Sequence, residues 1–257
     1  MQTERFLPTD RLKPFVKTFM IIESEQGMVN KLLPGTSIVI AFRYKGNVAY
    51  KQELDATAMP TAVITGLRNS MRLVDYAQET ATLLVIFNEG GAAALFREPL
   101  HELFGLSVAL DELIPRRTVS ELEERLAEAK SNRQRVRIVE EFLLSRLQAT
   151  STDRLIHQAI QQIQFSKGTI RINELLADLP ISQDPFEKRF RRIVGTTPKQ
   201  FSKIVRLRAV IDQHASGQRL TETAYQAGYF DQAHFIKDFR TFTGQAPHLF
   251  FLSGAYW

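Results

Sequence analysis

Up to about residue 90 the apolar positions fall in short runs, several of them alternating, and beyond it they recur at intervals of three and four. Leu83, Val85 and Phe87 alternate within Thr80–Phe87, and Ser37–Phe42 is a second β-branched run, so both predict strands. Val48–Tyr50 is expected to pair with the latter. Thr61–Thr65 and Met71–Tyr76 add two strands around Gly66, and Phe15–Ile22 reads as a strand or as a short helix running into one. Pro34-Gly35 marks a turn. Short strands with turn signals between them predict a small sheet or barrel.

After Gly90-Gly91, read as a strand-to-helix turn in preference to a phosphate cradle, the periodicity becomes helical over Ala92–Phe96 and around Leu100–Phe104. Ser120-Glu121-Leu122-Glu123 has the form of a capping box with Ser120 as N-cap. Leu122, Leu126 and Ala129 follow on one face, and a further helix from about Gln134 to Leu147 carries Val136, Val139, Leu143 and Leu147 along one side. Two readings stay open for this stretch, core of its own chain or a helix-helix dimer seam, the former favoured. Ala149–Asp153 reads as a join, and the next helix, about Arg154 to Gln164, carries Ile156, Ile160 and Ile163.

The final hundred residues contain the strongest pattern. Thr221–Ala227 reads as a helix, Gly228 as a left-handed turn, Asp231 as the N-cap of a new helix, and Phe235, Phe239 and Phe242 as its buried stripe. Upstream, Ile172–Leu179 reads as a short helix, Ser182 as an N-cap, and Phe186, Phe190 and Ile193 repeat the stripe; the two caps lie 49 residues apart. Pro185 is tolerated in a first helical turn. Between the copies, Thr197-Pro198-Lys199-Gln200 has the cap, proline and box of a helix start, and that helix runs to about His214 before Ser216-Gly217. At roughly 17 residues it is about 26 Å long, a stiff spacer for two helices that must sit about 34 Å apart on straight DNA. A plain helix hairpin would explain one copy of this pattern. The repeat favours two helix-turn-helix modules.

Composition narrows the partners. There is no cysteine among 257 residues, which removes disulfide and thiolate chemistry. Residues 1–150 hold 19 Lys+Arg and 19 Asp+Glu, whereas residues 151–257 hold 14 and 9, so the whole net charge of +5 sits in the C-terminal part. A basic unit joined to a neutral one points to a polyanionic partner. Only one of five histidines, His101, lies in the first half, where a metal site would need a cluster, and no catalytic constellation is evident; Glu23 and Glu25 read as a solvated loop. No signal-peptide pattern or membrane-spanning run is present, and a cytoplasmic location is expected.

Residues from about 168 to 250 resemble the DNA-binding domain of the AraC/XylS family of bacterial transcription regulators. The resemblance is carried by Ser182, Phe186, Phe190, Gly195-Thr196-Thr197-Pro198, Arg206-Leu207-Arg208-Ala209, Ala224, Gly228-Tyr229, Asp231-Gln232-Ala233-His234-Phe235, Phe239 and Gly244-Gln245-Ala246-Pro247. It implies an α+β chain. Residues 1–150 would form a sensor and dimerisation domain, β-rich to about 90 and helical over 92–148, with a small β-sheet or barrel. Residues 151–257 would form an all-α domain of two helix-turn-helix modules joined by a linker helix.

By position, the resemblance implies reading faces of Gln183, Asp184 and Lys188 in the first module and Gln232, Ala233 and Lys237 in the second. Arg189, Arg192 and Arg240 are assigned to phosphates, which fix register but carry no base code. Leu176 and Pro180 depart from the small residue and glycine usual in the first module, and Asp184 places a negative charge on its reading face. The second module is therefore expected to be the firmer anchor.

The expected partners are promoter DNA, a small-molecule effector of unknown site, RNA polymerase and a second copy of the chain, with no membrane, metal, cofactor or catalytic residue. Two rivals remain: an enzyme localised by its DNA-binding part, and a protein-interaction module whose basic helices bind an acidic partner.

Overall fold

The computed structural model describes residues 2–51, 56–148, 153–215, 220–229 and 231–252. Among the described residues, eight strands form one antiparallel sheet: β1 (Gln2–Phe6), β2 (Val16–Leu32), β3 (Val39–Lys45), β4 (Val48–Lys51), β5 (Ala56–Ala58), β6 (Ala62–Thr65), β7 (Arg72–Phe87) and β8 (Ser107–Ala109). Their order is β1-β2-β7-β3-β6-β8, with β4 on β7 and β5 on β4. The long strands β2 and β7 form the spine, in register from Val16 opposite Phe87 to Leu32 opposite Arg72.

Several strand expectations are corrected by this spine. Met71–Tyr76 and Thr80–Phe87 are one strand rather than two, since the chain passes Glu79 in a left-handed conformation (φ 53°) without leaving the sheet. That kink lets β7 pair with β3 over Ala81–Ile86 and with β4 over Leu73–Tyr76, so β4 joins β7 and not β3. Glu23 and Glu25 lie within β2 rather than in a loop, and Glu23 accepts a hydrogen bond from the Tyr44 hydroxyl at 3.2 Å. The three-residue β8, pairing with β6, has no signal in the sequence.

Side chains alternate across a sheet, and here both faces are largely apolar. One face carries Phe19, Ile21, Ile40, Phe42, Ile64, Leu83, Val85 and Phe87, each at most 1% exposed. The other carries Met20, Ile22, Val39, Val48, Val63, Val74 and Leu84; Ile22, Val48, Val74 and Tyr76 there make a small cluster separate from the main core.

The helices cover the first face. Gly91 opens a 3-10 turn, Gly91–Ala94, and a second runs over Leu100–Leu103, where α-helix was expected. A Cβ on Gly91 would lie 2.2 Å from the Phe15 carbonyl oxygen, so only glycine allows this close packing of the turn on the β1–β2 segment. α1 (Arg116–Glu128) starts one turn earlier than the capping box implied, after Pro115, and Ser120 is interior. The early start is supported by the Arg117–Glu121 ion pair at 2.8 Å. α2 (Asn132–Arg146) begins at Ser131, whose hydroxyl accepts the Gln134 N–H at 3.3 Å. Its apolar residues Val136, Ile138, Val139, Phe142 and Leu143 are buried within the chain, with the Phe142 ring edge-on to Phe42 at 6.3 Å. The apolar stripe that a dimer seam would need is thus spent internally.

The remaining elements among the described residues are helices: α3 (Arg154–Phe165), α4 (Ile172–Ala177), α5 (Gln183–Val194), α6 (Pro198–Ala215), α7 (Leu220–Gln226), α8 (Gln232–Thr243) and α9 (Pro247–Leu252). The join expected at Ala149–Asp153 lies almost wholly outside the described residues, as do Ser216-Gly217 and Phe230. The main core runs without a break from the sheet through α1 and α2 into these helices.

Candidate nucleic-acid interface

Each module places an exposed helix on an aromatic base. In α5, Phe186 and Phe190 are fully buried, their rings 5.6 Å apart, and Phe190 meets Phe201 of α6 edge-on at 5.7 Å. In α8, Phe235 and Phe239 meet edge-on at 5.5 Å, and Phe239 reaches Phe250 of α9 at 5.3 Å. Full burial of a side chain of this size is worth roughly 1.5–3 kcal/mol, so these rings fix α5 against α6 and α8 against α9. The opposite faces are polar.

The turns before the two helices have equal length but different construction. Residues 178–182 separate α4 from α5, and residues 227–231 separate α7 from α8. The second turn uses Gly228 at φ 74°, whose N–H donates to the Tyr225 carbonyl at 2.9 Å. The first contains no residue with positive φ; α4 ends on Asp178 at φ −95°, so the module turns around Pro180 without a left-handed residue. Leu176 stays partly buried against the main core.

The caps differ as well. Asp231 is extended and its carboxylate accepts the His234 N–H at 2.7 Å. Ser182 occupies the equivalent position, yet its hydroxyl makes no cap bond, contrary to the sequence reading. Gly195 and Gly244 close α5 and α8 in the left-handed conformation. At the start of α6 the Thr197 hydroxyl accepts the Gln200 N–H at 3.1 Å, as expected. With 18 residues, α6 is about 27 Å long.

All nine residues assigned to the interface are exposed. Ser182, Gln183, Asp184, Pro185 and Lys188 share one open surface at the start of α5, and the Gln183 amide donates to Glu187 at 3.2 Å. Gln232, Ala233, Lys237 and Arg240 lie on the outer side of α8. Two exposed arginines of the first module have neighbours outside α5. The Arg189 guanidinium pairs with Asp153, which also caps α3 by accepting the Ile156 N–H at 3.2 Å. Arg192 lines a cleft of about 830 Å³ shared with Asn88, Gly90 and Gly91 of the sheet domain and with Asp153 and His157. The end of α5 also rests on that domain. Ile193 lies against Gly90, and Gly195 lies against the Leu100 carbonyl.

Sequence reasoning gave no roles to the side chains that join the modules. Arg206 of α6 donates to the Gly168 carbonyl at 2.8 and 3.3 Å and lies over the Tyr229 ring at 5.5 Å, tying the α3–α4 join to the α7–α8 turn. Burial first, and then the nearby Asp238, pushes the Tyr229 hydroxyl up to about 12. Asp238, on α8, faces Lys203 of α6 at 3.6 Å and His234 at 3.7 Å. Arg206 stands inside a recognised motif, but nothing in the spacing shows what it touches.

Residues 175–252 match the model of a helix-turn-helix domain. Residues 4–109 match a domain of unknown function. No curated protein matches the chain. Among solved structures it is similar to ToxT from Vibrio cholerae, at 13% identity over 98% of this chain and 97% of that one with a TM-score of 0.46. Unsaturated fatty acid bound wild-type ToxT from strain SCE256 of that organism gives 15% identity over 92% and 96%, with a TM-score of 0.44. The AraC-like transcriptional activator CuxR gives 10% identity over 88% and 91%, with a TM-score of 0.25.

A helix-turn-helix match over both modules defines the class, a DNA-binding transcription regulator. The matched segment, residues 175–252, is a helix-turn-helix domain, in keeping with the resemblance to the AraC/XylS regulators. No helix among the described residues is long and apolar enough to cross a membrane.

Proposed function

We propose that the protein binds specific promoter sequences by placing α5, from Ser182, and α8, from Asp231, in successive major grooves, under control of a signal received by residues 1–150. The observation that carries this reading is the capped, exposed start of α8. Gln232, Ala233 and Lys237 stand on its outer face while Phe235 and Phe239 anchor it from behind. Gln can bond an adenine edge in two places, Lys reaches guanine O6 and N7, and Ala touches a thymine methyl. Arg240 serves a phosphate. In the first module Gln183, Asp184 and Lys188 read, while Arg189 and Arg192 reach phosphates once their contacts toward Asp153 and the cleft are released. The division near residue 151 separates the signal-receiving part from the reading part.

Because the first module lacks a bonded cap and has Arg189 paired with Asp153, the second module contributes more of the affinity. Titrating a short duplex enriched from a random pool, in the presence of competitor DNA, tests this. Lys237→Ala should weaken binding more than Lys188→Ala, and both should reduce the salt dependence. An equal or larger loss at Lys188 overturns the ranking. Binding to an acidic polypeptide that outcompetes any duplex would favour the protein-interaction reading.

A further inference from the structure

A helix that served only as a spacer would keep the two modules out of each other's reach, yet in this chain they approach at one point. The join between α3 and α4 turns back through two left-handed residues, Lys167 at φ 51° and Gly168 at φ 75°. This sets Gly168 directly on the backbone of α6. A Cβ there would lie 2.2 Å from the Ser202 carbonyl oxygen and 2.9 Å from the Arg206 backbone nitrogen. The next residue, Thr169, points at the second module, its methyl 3.7 Å from where a Cβ on Gly228 would stand. Residues 168–169 of the first module, 202 and 206 of α6, and 228–229 of the second module therefore share one junction.

Arg206 sits at its centre. Its guanidinium donates twice to the Gly168 carbonyl, at 2.8 and 3.3 Å, and lies over the Tyr229 ring at 5.5 Å. The edge of a guanidinium donates while its face is drawn to an aromatic ring, so one side chain serves both modules. Each contact leads on to a reading helix. Gly168 ends α3, which packs on α5. Tyr229, only 5% exposed, meets Phe235 of α8 edge-on at 5.1 Å. About one turn earlier on the same side of α6, Lys203 faces Asp238 of α8 at 3.6 Å.

We infer that Arg206 is a positioning residue for DNA recognition. By holding the α3–α4 join to the α7–α8 turn it fixes the offset between α5 and α8, and hence the number of base pairs between the two segments they read. This rests on the reading proposed above, in which both helices enter major grooves. One base pair moves the second segment by about 3.4 Å and turns it by roughly 34–36° about the duplex axis. A junction that holds its angle rejects a site altered by one pair, and a loosened one follows it.

The experiment uses the full-length protein and the duplex it enriches from a random pool, with two derivatives that carry one base pair more or one fewer between the read segments. The wild type should bind each derivative about tenfold or more weakly than the enriched duplex. Arg206→Met keeps the length of the side chain and loses the fork; it should shrink that ratio to about threefold or less. Arg206→Lys keeps donors without the planar face and should fall between the two. Tyr229→Leu, which removes the ring from the other side of the contact, should also shrink the ratio. Lys199→Ala, on the exposed surface of α6, should leave it at the wild-type value. Circular dichroism melting establishes which variants fold; if Arg206→Met does not, Arg206→Lys and Tyr229→Leu carry the test.

Ratios unchanged in the folded variants overturn the proposal, and so does a uniform loss over all three duplexes, which would mark a merely structural role. A wild type indifferent to the added or removed pair, or an enriched motif with a single read segment, overturns it as well. A pool that stays random defeats the regulator reading and this inference with it, whereas enrichment with unaltered ratios defeats this inference alone.

Discussion

Replacing Asp231 by Ala removes the acceptor for the His234 N–H, a bond of 2.7 Å at the start of α8. Losing such a cap costs about 1 kcal/mol, and losing a negative charge at a helix N-terminus adds roughly 0.3–1 kcal/mol. The expected total is about 1–2 kcal/mol, a fall of a few degrees in melting temperature for a chain of this size. The matching change, Ser182→Ala, removes a hydroxyl that makes no cap bond and should cost less than about 0.5 kcal/mol. Urea unfolding followed by far-ultraviolet circular dichroism measures both. The functional consequence follows from position, because the first turn of α8 carries Gln232 and Ala233. Fraying there should weaken duplex binding in Asp231→Ala by more than in Ser182→Ala. A Ser182→Ala variant that loses as much stability as Asp231→Ala would refute the asymmetry between the modules.

Phe190→Ala should cost about 3–5 kcal/mol, since the ring is fully buried between Phe186 and Phe201, and chemical denaturation would register it. Gly228→Ala should cost only the left-handed strain of about 1–2 kcal/mol, its new Cβ meeting nothing closer than Thr169 at 3.7 Å. Gly168→Ala has the same strain, but its Cβ would lie 2.2 Å from the Ser202 carbonyl oxygen; its loss should be clearly the larger, and equal losses would contradict the packing described.

How much of this was readable in advance depends on the range of the interactions. The stripes Phe186–Phe190 and Phe235–Phe239, the Asp231 cap, the Gly228 turn and the Thr197-Pro198 helix start are local, and local spacing disclosed them. The sheet was harder. That β7 is one strand depends on Glu79 holding a left-handed conformation against β2, and that β4 joins β7 instead of β3 depends on the same kink. Ser120 has the right neighbours for a cap, but Pro115 starts the helix a turn sooner. The first module's departures at Leu176 and Pro180 pointed to a different turn, and the turn is indeed built without positive φ. Side chains acting across the chain left no local trace. Arg206 on Gly168, Arg189 on Asp153 and Arg208 on Leu33 and Pro34 join residues 36 to 175 positions apart.

The most direct test of the account is selection from a random duplex pool by the purified chain, with recovery and sequencing of what it retains. The account predicts an enriched motif read by both modules, with the bases that face α8 the most constrained and released from constraint when Gln232 and Lys237 are replaced by Ala. A pool that stays random, or an enriched motif unaltered by those replacements, would contradict it.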